Sequence, residues 1–164
     1  MMRIGFGYDS HRFSEGRRLI LGGVEVNYEK GLLGHSDADA LIHAIVDAIL
    51  GALGEGDIGR HFPDTDPNLK GISSLVILKR VADLAVQRGY YVNNIDSTVI
   101  LEKPRLSPSI EEMRRNIARV LGTDSSRVNV KAKTNEKMGF VGRGEGIAAF
   151  AVVTLGRADA DSVA

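Results

Sequence analysis

The chain of 164 residues contains no cysteine, and this absence removes several kinds of chemistry at once. Disulfide bonds, thiolate-bound zinc and cysteine nucleophiles are all excluded. A transition-metal site in this protein must therefore be built from histidine and carboxylate side chains. Histidine is itself scarce, so few such sites are possible; the four in the chain are His11, His35, His43 and His61.

Other features that the sequence lacks narrow its class further. Lys and Arg together number 21, as do Asp and Glu, and without a basic surplus we expect no nucleic acid partner. No apolar run has the length of a membrane span, and the N-terminus does not resemble a signal peptide. We therefore expect a cytoplasmic protein with no membrane contact. Aromatic residues make up only 5% of the chain, which predicts a mainly aliphatic core.

The residues that are present predict one α+β domain. Apolar residues make up 43% of the chain, and strand-like segments are interleaved with three amphipathic segments of helical period. We expect residues 1–156 to form a mixed β-sheet with the three helices packed on one face, and residues 157–164 to be a flexible C-terminal tail. Because the strands are rich in alanine, valine and isoleucine, self-association is the simplest way to bury the other face.

Two helix starts can be predicted from residue types. Ser36 is a suitable N-cap for the first helix, and Asp39 three residues later resembles the second member of a capping box. Pro108 is suited to the first position of the third helix, because proline lacks the N–H that this position leaves unpaired. The first helix is expected to end near Gly54, and the third before Gly122.

The segment GFGYDSHRF, residues 5–13, places Asp9 and His11 two positions apart in a predicted first strand. In extended backbone, side chains two apart point to the same face, so a carboxylate and an imidazole are expected side by side. One interpretation is a metal site that lacks its third ligand. The other is a strand end whose polar edge contacts solvent.

His43 lies inside the first predicted helix, with Asp39 and Asp47 four residues away on either side. This spacing puts all three side chains on one helix face. Either the face is a solvated surface, or His43 is a metal ligand and the two carboxylates fix its tautomer. With Asp9 and His11, His43 would complete a group that we call the tripod. Two imidazoles and one carboxylate leave a fourth coordination position open, as in catalytic zinc sites.

Further segments offer groups that could bind a substrate. His35 and Ser36 precede the first helix, whose N-terminus favours anions, although Ser36 could serve only as a cap. Asp57 and Asp64 lie in the loop GDIGRHFPDTD and either initiate turns or accept hydrogen bonds from substrate hydroxyls.

The segment TNEKMGFVGRGEG, residues 134–146, is rich in glycine and contains Thr134 and Glu136. A hydroxyl and a carboxylate in such a loop could hold a nucleotide phosphate and its Mg²⁺. The pattern is weak as evidence, because it is neither the Walker nor the Rossmann arrangement.

Together these segments resemble the 2-C-methyl-D-erythritol 2,4-cyclodiphosphate synthase family. The similarity runs over residues 3–156 and includes YDSHRF, GHSDADALIHAIVDAILGALGEGDIGRHFPDTD and TNEKMGFVGRGEGIA. It implies a homotrimer of α+β subunits whose sheets face the threefold axis, with active sites between neighbours. It also implies a metal-dependent phosphorus–oxygen lyase of the non-mevalonate isoprenoid pathway. The implied reaction converts 4-diphosphocytidyl-2-C-methyl-D-erythritol 2-phosphate to 2-C-methyl-D-erythritol 2,4-cyclodiphosphate and releases CMP.

The resemblance also implies roles for individual residues. The tripod would hold Zn²⁺ or another divalent transition metal, and Glu136 would carry Mg²⁺ or Mn²⁺ on the nucleotide diphosphate. The tripod, Thr134 and Glu136 would be the catalytic group. Substrate contacts would come from His35 and Ser36 for the phosphates, from Asp57, Gly59 and Asp64 for the methylerythritol, and from Leu101, Arg105, Leu106, Ala132, Lys133 and Thr134 for the cytidine. Phe140 and Arg143 would lie near the threefold axis, where an isoprenoid phosphate can bind in a central cavity.

Two other functions agree with the residues alone. A zinc hydrolase would activate water at the open coordination position and would need no cytidine pocket. A non-enzymatic trimer that binds a small molecule would keep its metal as a structural ion with a closed fourth position. Turnover of the cytidylyl substrate separates the three hypotheses.

Overall fold

The computed structural model describes residues 1–157 of the chain. Of the predicted tail, 157–164, only Arg157 lies within the described residues, where it ends the last strand. The described chain forms a five-stranded sheet, a separate two-stranded hairpin and helices, which confirms the α+β prediction. The boundary of the domain at residue 156 stays a prediction.

Five strands form a mixed sheet in the order β4–β1–β7–β5–β6. The pair β5–β6 is parallel, and the other neighbours are antiparallel. The long and largely apolar strand β7 lies at the centre of the sheet, where both its edges are paired. Two short strands, β2 and β3, form a separate hairpin. The bounds are β1 Met2–Ser14, β2 Leu19–Leu21, β3 Val24–Val26, β4 Gly31–Leu32, β5 Tyr90–Ile100, β6 Val128–Lys133 and β7 Gly146–Arg157.

Three long helices, α1, α3 and α4, correspond to the three predicted ones. α1 lies on β1 and β7, α3 packs beside α1, and α4 packs against α3 and β6. Within residues 1–157, no helix is long and apolar enough to span a membrane. The cytoplasmic location stays a prediction. The bounds are α1 Ala40–Leu53, α2 Ile58–His61, α3 Ser74–Gln87, α4 Ile110–Leu121 and α5 Gly139–Gly142.

The predicted N-cap of α1 is wrong. The helix begins at Ala40, and Asp39 is the N-cap, because its Oδ1 accepts the Ile42 N–H at 3.1 Å. Ser36 instead lies in the turn before the helix, where its hydroxyl accepts the Ala38 N–H at 3.2 Å. Ala38 has a φ of 58°, in the left-handed region, so the chain cannot be helical from Ser36 onward.

The predicted start of α4 is also wrong. Pro108 lies two residues before the first helical residue, Ile110. The N–H groups of Ser109 and Ile110 both bond the Leu106 carbonyl, at 2.8 and 3.1 Å. This turn delays the helix past the proline. The predicted end is confirmed, because Gly122 is the C-cap with a φ of 65°.

The backbones of β1 and α1 touch at two glycines. Gly5 and Gly7 face the helix, and a Cβ on Gly7 would lie 1.8 Å from the Ala44 carbonyl oxygen. A Cβ on Gly5 would lie 1.7 Å from the corresponding oxygen of Ala48. No side chain fits in either gap, so glycine is required by space and not by backbone conformation. The contact brings α1 against the first half of β1, directly before Asp9 and His11.

The sheet face opposite the helices carries exposed apolar side chains. Along β1, Ile4 and Phe6 are 65% and 62% exposed, and Val152 of β7 is exposed beside them. Tyr8 and Phe6 both pack against Phe150, with ring centroids 5.1 and 6.2 Å apart. No element of residues 1–157 covers this patch, and a contiguous apolar patch usually marks an interface.

Replacing Gly7 by alanine tests the contact between α1 and β1. The added methyl group overlaps the Ala44 carbonyl, so we expect the free energy of unfolding in urea to fall by about 3 kcal/mol. Gly51→Ala is the matched control. A Cβ on this α1 residue meets only the Phe6 carbonyl, at 3.8 Å, and alanine favours helix, so stability should stay equal or rise by up to ~1 kcal/mol. Equal losses in both variants would contradict the close-contact argument.

Candidate metal centre and substrate pocket

The three members of the tripod come together as predicted. Asp9 and His11 share one face of β1, and His43 approaches them from the first turn of α1. Asp9 Oδ2 lies 2.8 Å from His11 Nε2 and 3.0 Å from His43 Nδ1, and the two ring nitrogens are 3.2 Å apart. Ligands on a tetrahedral zinc ion are about 3.3 Å from one another. The donor atoms therefore have the spacing that a small divalent cation requires.

The outer ring nitrogens of both histidines have partners of their own. His11 Nδ1 lies 2.7 Å from the Leu33 carbonyl, which only accepts, so Nδ1 carries a proton and Nε2 is the nitrogen that a metal would bind. His43 Nε2 faces the hydroxyls of Ser74 at 2.8 Å and Ser36 at 3.2 Å. His11 Nε2 and His43 Nδ1 thus both point at the Asp9 carboxylate, where a ring proton or a metal ion can satisfy the negative charge. The chemistry of the donor set fits Zn²⁺.

The electrostatics of the tripod also favour a positive charge at its centre. Burial raises the pKa of Asp9, but hydrogen bonds with His11 and His43 outweigh it and lower the pKa to about 2. Burial lowers the pKa of His11, but the hydrogen bond with Asp9 outweighs it, and the pKa is raised overall. The ionised carboxylate thus holds either a proton on His11 or a metal ion in its place.

The predicted carboxylate partners of His43 are wrong. Asp39 turns away from it and accepts the N–H groups of Gly22 and Gly23 at 3.0 and 2.8 Å. Asp47 accepts the Ile58 N–H at 2.7 Å. The prediction failed because Asp39 is a cap outside the helix, so helical spacing does not apply to it, and because Asp47 is engaged by α2.

The partner that sequence reasoning missed is Ser74, the first residue of α3. Ser74 and its neighbour Ser73 could be recognised as helix-start residues from their position before an apolar periodic segment. Nothing in the spacing shows that a residue 31 positions away contacts His43.

A cavity of about 560 Å³, here called the large cavity, opens beside the tripod. His35 Nε2 on its edge lies 2.9 Å from the Asp66 carbonyl. Asp57 is not among the lining residues; it caps α2 by accepting the Arg60 N–H at 3.0 Å. The lining includes the tripod and four of the predicted substrate residues, His35, Ser36, Gly59 and Asp64. The remaining lining residues are mainly apolar: Gly34, Ile58, Phe62, Pro63, Thr65, Leu69, Ile72 and Ile77.

A second cavity, of about 160 Å³, lies at the ends of β5 and β6 and is called the small cavity. All six residues predicted to contact cytidine line it. Three residues that were not predicted, Glu102, Pro104 and Ser107, complete the lining. The six are Leu101, Arg105, Leu106, Ala132, Lys133 and Thr134.

The turn that follows β6 is held in an unusual conformation. Glu136 and Lys137 have φ values of 50° and 61°, which non-glycine residues rarely adopt. Glu102 Oε1 accepts the N–H of Lys137 at 3.2 Å and that of Asn135 at 2.9 Å, which supports the turn. The Thr134 hydroxyl donates to Glu136 Oε1 at 3.2 Å. The predicted cation ligand Glu136 is thus held close to the small cavity, and Glu102 is a further residue that sequence reasoning missed.

Phe140 and Arg143 lie in and after α5. Phe140 is 40% exposed and borders a third cavity with Ser10 and Arg12 of β1. The Arg143 guanidinium donates from Nε to Glu145 Oε1 at 2.6 Å. Their predicted position near a threefold axis stays a prediction.

The tripod and the small cavity are far apart within one chain. Asp9 pairs with Ala149, Ala149 with Val99, and Val99 with Ala132, so these residues form one row across the sheet. Three strand spacings separate Asp9 from Ala132, or about 14 Å. No described residue lines both the large and the small cavity.

The sheet, the tripod and the two cavities define an α+β protein with a candidate metal site beside a substrate-sized pocket. Residues 2–156 match the YgbB family, and the chain belongs to that family. A relative from Geotalea uraniireducens, named 2-C-methyl-D-erythritol 2,4-cyclodiphosphate synthase, is 62% identical over 156 residues. The aligned part covers 95% of this chain and 99% of that protein.

Two solved structures support the assignment. The bifunctional IspDF from Campylobacter jejuni matches with a TM-score of 0.93 and 44% identity over 97% of this chain. The match spans only 43% of that bifunctional chain. The IspF of Plasmodium falciparum, described as a CDP complex, matches with a TM-score of 0.84 and 38% identity, covering 96% of this chain and 97% of that one.

Removing one ring of the tripod should remove the metal. We expect His43→Ala, dialysed after zinc loading, to retain almost no zinc by elemental analysis, because two ligands remain of three. His61→Ala is the control, since His61 bonds the Glu55 carbonyl and does not line the large cavity. Retention of about one zinc per chain in His43→Ala would show that the ligands lie elsewhere.

Proposed function

We propose that the protein converts 4-diphosphocytidyl-2-C-methyl-D-erythritol 2-phosphate to 2-C-methyl-D-erythritol 2,4-cyclodiphosphate with release of CMP. The reaction is the cyclising step of the non-mevalonate route to isoprenoid precursors. The observation that carries the proposal is the convergence of Asp9, His11 and His43 beside the large cavity. It occurs in a chain that is 62% identical to a relative named as this synthase.

The reaction is an intramolecular phosphoryl transfer. An oxygen of the 2-phosphate attacks the β-phosphorus, the bond from that phosphorus to the bridging oxygen breaks, and CMP leaves with the bridging oxygen. The nucleophile belongs to the substrate and is already ionised at neutral pH, so the chain needs neither a cysteine nor a strong base. An enzyme with this reaction would be classed as a phosphorus–oxygen lyase. Positioning and charge stabilisation then account for catalysis.

The large cavity suits the phosphate end of the substrate. Zn²⁺ bound at the tripod would polarise the reacting phosphate. Ser36 accepts the Ala38 N–H, so its own hydroxyl proton can be donated to a phosphate oxygen. His35 lies next to it on the same wall, and Gly59 and Asp64 would contact the methylerythritol. The apolar lining excludes water that would otherwise compete as nucleophile.

The small cavity suits the cytidine. Thr134 is at its edge, and Glu136 two residues later would hold Mg²⁺ or Mn²⁺ on the diphosphate, since hard cations prefer oxygen ligands. At the large cavity, Asp57, the N-cap of α2 next to Gly59, would contact the methylerythritol. Arg105 and Lys133 give the small cavity a positive charge that suits a nucleotide. In this proposal the substrate contacts both cavities, whose lining residues Asp9 and Ala132 lie about 14 Å apart across the sheet of one chain.

We further propose a homotrimer with each active site between neighbours. In a head-to-tail ring, the large cavity of one subunit can face the small cavity of the next. The uncovered apolar face of β1 and β7 supports this assembly, because burying Ile4, Phe6 and Tyr8 against partners is favourable. The sheets would face the threefold axis, with Phe140 and Arg143 close to it. An isoprenoid phosphate could bind in a central cavity there.

The decisive experiment is incubation of the purified protein with the cytidylyl substrate, Zn²⁺ and Mg²⁺, followed by ³¹P NMR. We expect CMP and a cyclic diphosphate as the products. Linear products would indicate a zinc hydrolase, and no product would indicate a binding protein. His43→Ala should be inactive, with a loss of at least about 10³-fold, while His61→Ala should keep wild-type activity.

Mixing two inactive variants tests the intersubunit site. His43→Ala breaks the metal half, and Thr134→Ala with Glu136→Ala breaks the nucleotide half. In a mixed ring, one junction joins an intact metal half to an intact nucleotide half. Random equal mixing makes about three-quarters of trimers mixed, each with one working site in three, so roughly a quarter of wild-type activity should return after co-refolding. No recovery would mean that both halves belong to one chain.

A further inference from the structure

On the side away from Asp9, the His43 ring contacts a hydrogen-bond network of two residues, Ser74 and Asp37. His43 Nε2 lies 2.8 Å from the Ser74 hydroxyl, and that hydroxyl in turn contacts Asp37 Oδ1. We propose that Ser74 and Asp37 are positioning residues that lock His43 in the Nε2–H tautomer and so prepare its Nδ1 to bind the metal.

The direction of each hydrogen bond follows from the atoms involved. An ionised Asp37 carboxylate can only accept, so the single hydroxyl proton of Ser74 is donated to it. The Ser74 oxygen can then only accept from His43, and the proton on the ring must be on Nε2. In the neutral ring, Nδ1 then keeps its lone pair available for a cation, and it lies 3.0 Å from Asp9 Oδ2. The Asp37 carboxylate, at the end of this hydrogen-bond network, therefore determines which nitrogen of His43 is available to a metal.

Further hydrogen bonds fix the positions of Ser74 and Asp37. Ser74 is fully buried, and its backbone N–H donates to Asp37 Oδ2 at 2.9 Å, so the two residues make a two-point contact. Asp37 Oδ1 also accepts the Asp39 N–H at 3.2 Å. The Asp37 N–H bonds the Ile72 carbonyl at 3.1 Å. The carboxylate is thus fixed between the turn before α1 and the first turn of α3.

Ser36 does not replace Ser74 in this role. Its hydroxyl is farther from His43 Nε2, at 3.2 Å, and already accepts the Ala38 N–H. It also lines the large cavity, where its proton is available to a substrate. The two serines that contact His43 Nε2 therefore have different roles. Only Ser74 is connected to a carboxylate that sets its polarity.

Asp37→Asn is the most direct test, because it keeps the shape and can reverse the polarity. An amide NH₂ facing Ser74 makes the hydroxyl donate to His43 Nε2, which moves the ring proton to Nδ1 and blocks the ligand atom. We expect zinc affinity, measured by competition with a chromophoric chelator, to fall 10–100-fold in Asp37→Asn and in Ser74→Ala. Ser74→Thr keeps the hydroxyl and should recover most of the lost affinity.

Ser97→Ala is the matched control for removing a buried hydroxyl. Ser97 is 2% exposed and donates to the Asn129 carbonyl, in a different part of the sheet from the tripod. It should lower thermal stability without changing zinc affinity. Unchanged zinc affinity in both Asp37→Asn and Ser74→Ala would overturn the proposal, as would an equal loss in Ser97→Ala.

A second measurement needs no variant and so does not depend on the variants folding. In the zinc-loaded wild-type protein, ¹⁵N NMR of the histidine rings should show His43 with a proton on Nε2 and metal on Nδ1. Coordination through Nε2 would overturn the proposal. The proposal rests on the proposed function only for the identity of the cation. If the protein binds zinc in this manner but releases no CMP, the proposed function fails while the positioning role stands.

Discussion

The close backbone contact between α1 and β1 is the constraint on which the metal centre depends. Gly7 is two residues before Asp9, and its contact partner Ala44 follows His43 directly. Any side chain at Gly7 would push the helix away by more than an ångström, since real Cβ atoms do not approach an oxygen to 1.8 Å. The donor atoms of the tripod are only about 3 Å apart, so a displacement of that size would separate them. The strand glycines thus determine whether the candidate metal site can form.

Two neighbouring aspartates hold the other elements around His43. Asp39 is fully buried, and burial raises its pKa to about 6 in spite of three backbone N–H donors, from Gly22, Gly23 and Ile42. It joins the β2–β3 turn to the start of α1. Asp37 lies in the turn directly before α1 and joins this turn to α3 through Ser74. Because the left-handed residue Ala38 lies between them, the two carboxylates point to different elements. The short turn before α1 therefore fixes the relative positions of the β2–β3 hairpin, α1 and α3.

The sequence predicts contacts that follow from local geometry and fails on those made by tertiary packing. Asp9 and His11 could be paired because side chains alternate along a strand, and His43 could be added because the chain has few other metal ligands. The grouping of the cytidine residues came from resemblance and not from spacing. The partners of His43 could not be found, since helical spacing points to Asp39 and Asp47 whereas the real partner, Ser74, comes from another helix. Ser36 failed as a cap for a related reason: a left-handed residue interrupts the segment that propensity alone would make helical.

The alternation of β1 links the metal centre to the surface proposed for assembly. One set of its residues, Gly5, Gly7, Asp9 and His11, faces α1, and the intervening set, Ile4, Phe6, Tyr8 and Ser10, faces away from the helices. A shift of register by one residue would exchange the two faces completely. It would place aromatic rings against the α1 backbone, where not even a methyl group fits, and would expose the metal ligands on the apolar face. A one-residue shift against β7 is therefore excluded, and the same pairing that forms the tripod also exposes Phe6 and Tyr8 on the surface proposed for assembly. The candidate metal site and the surface proposed for assembly thus have a common structural origin in one strand.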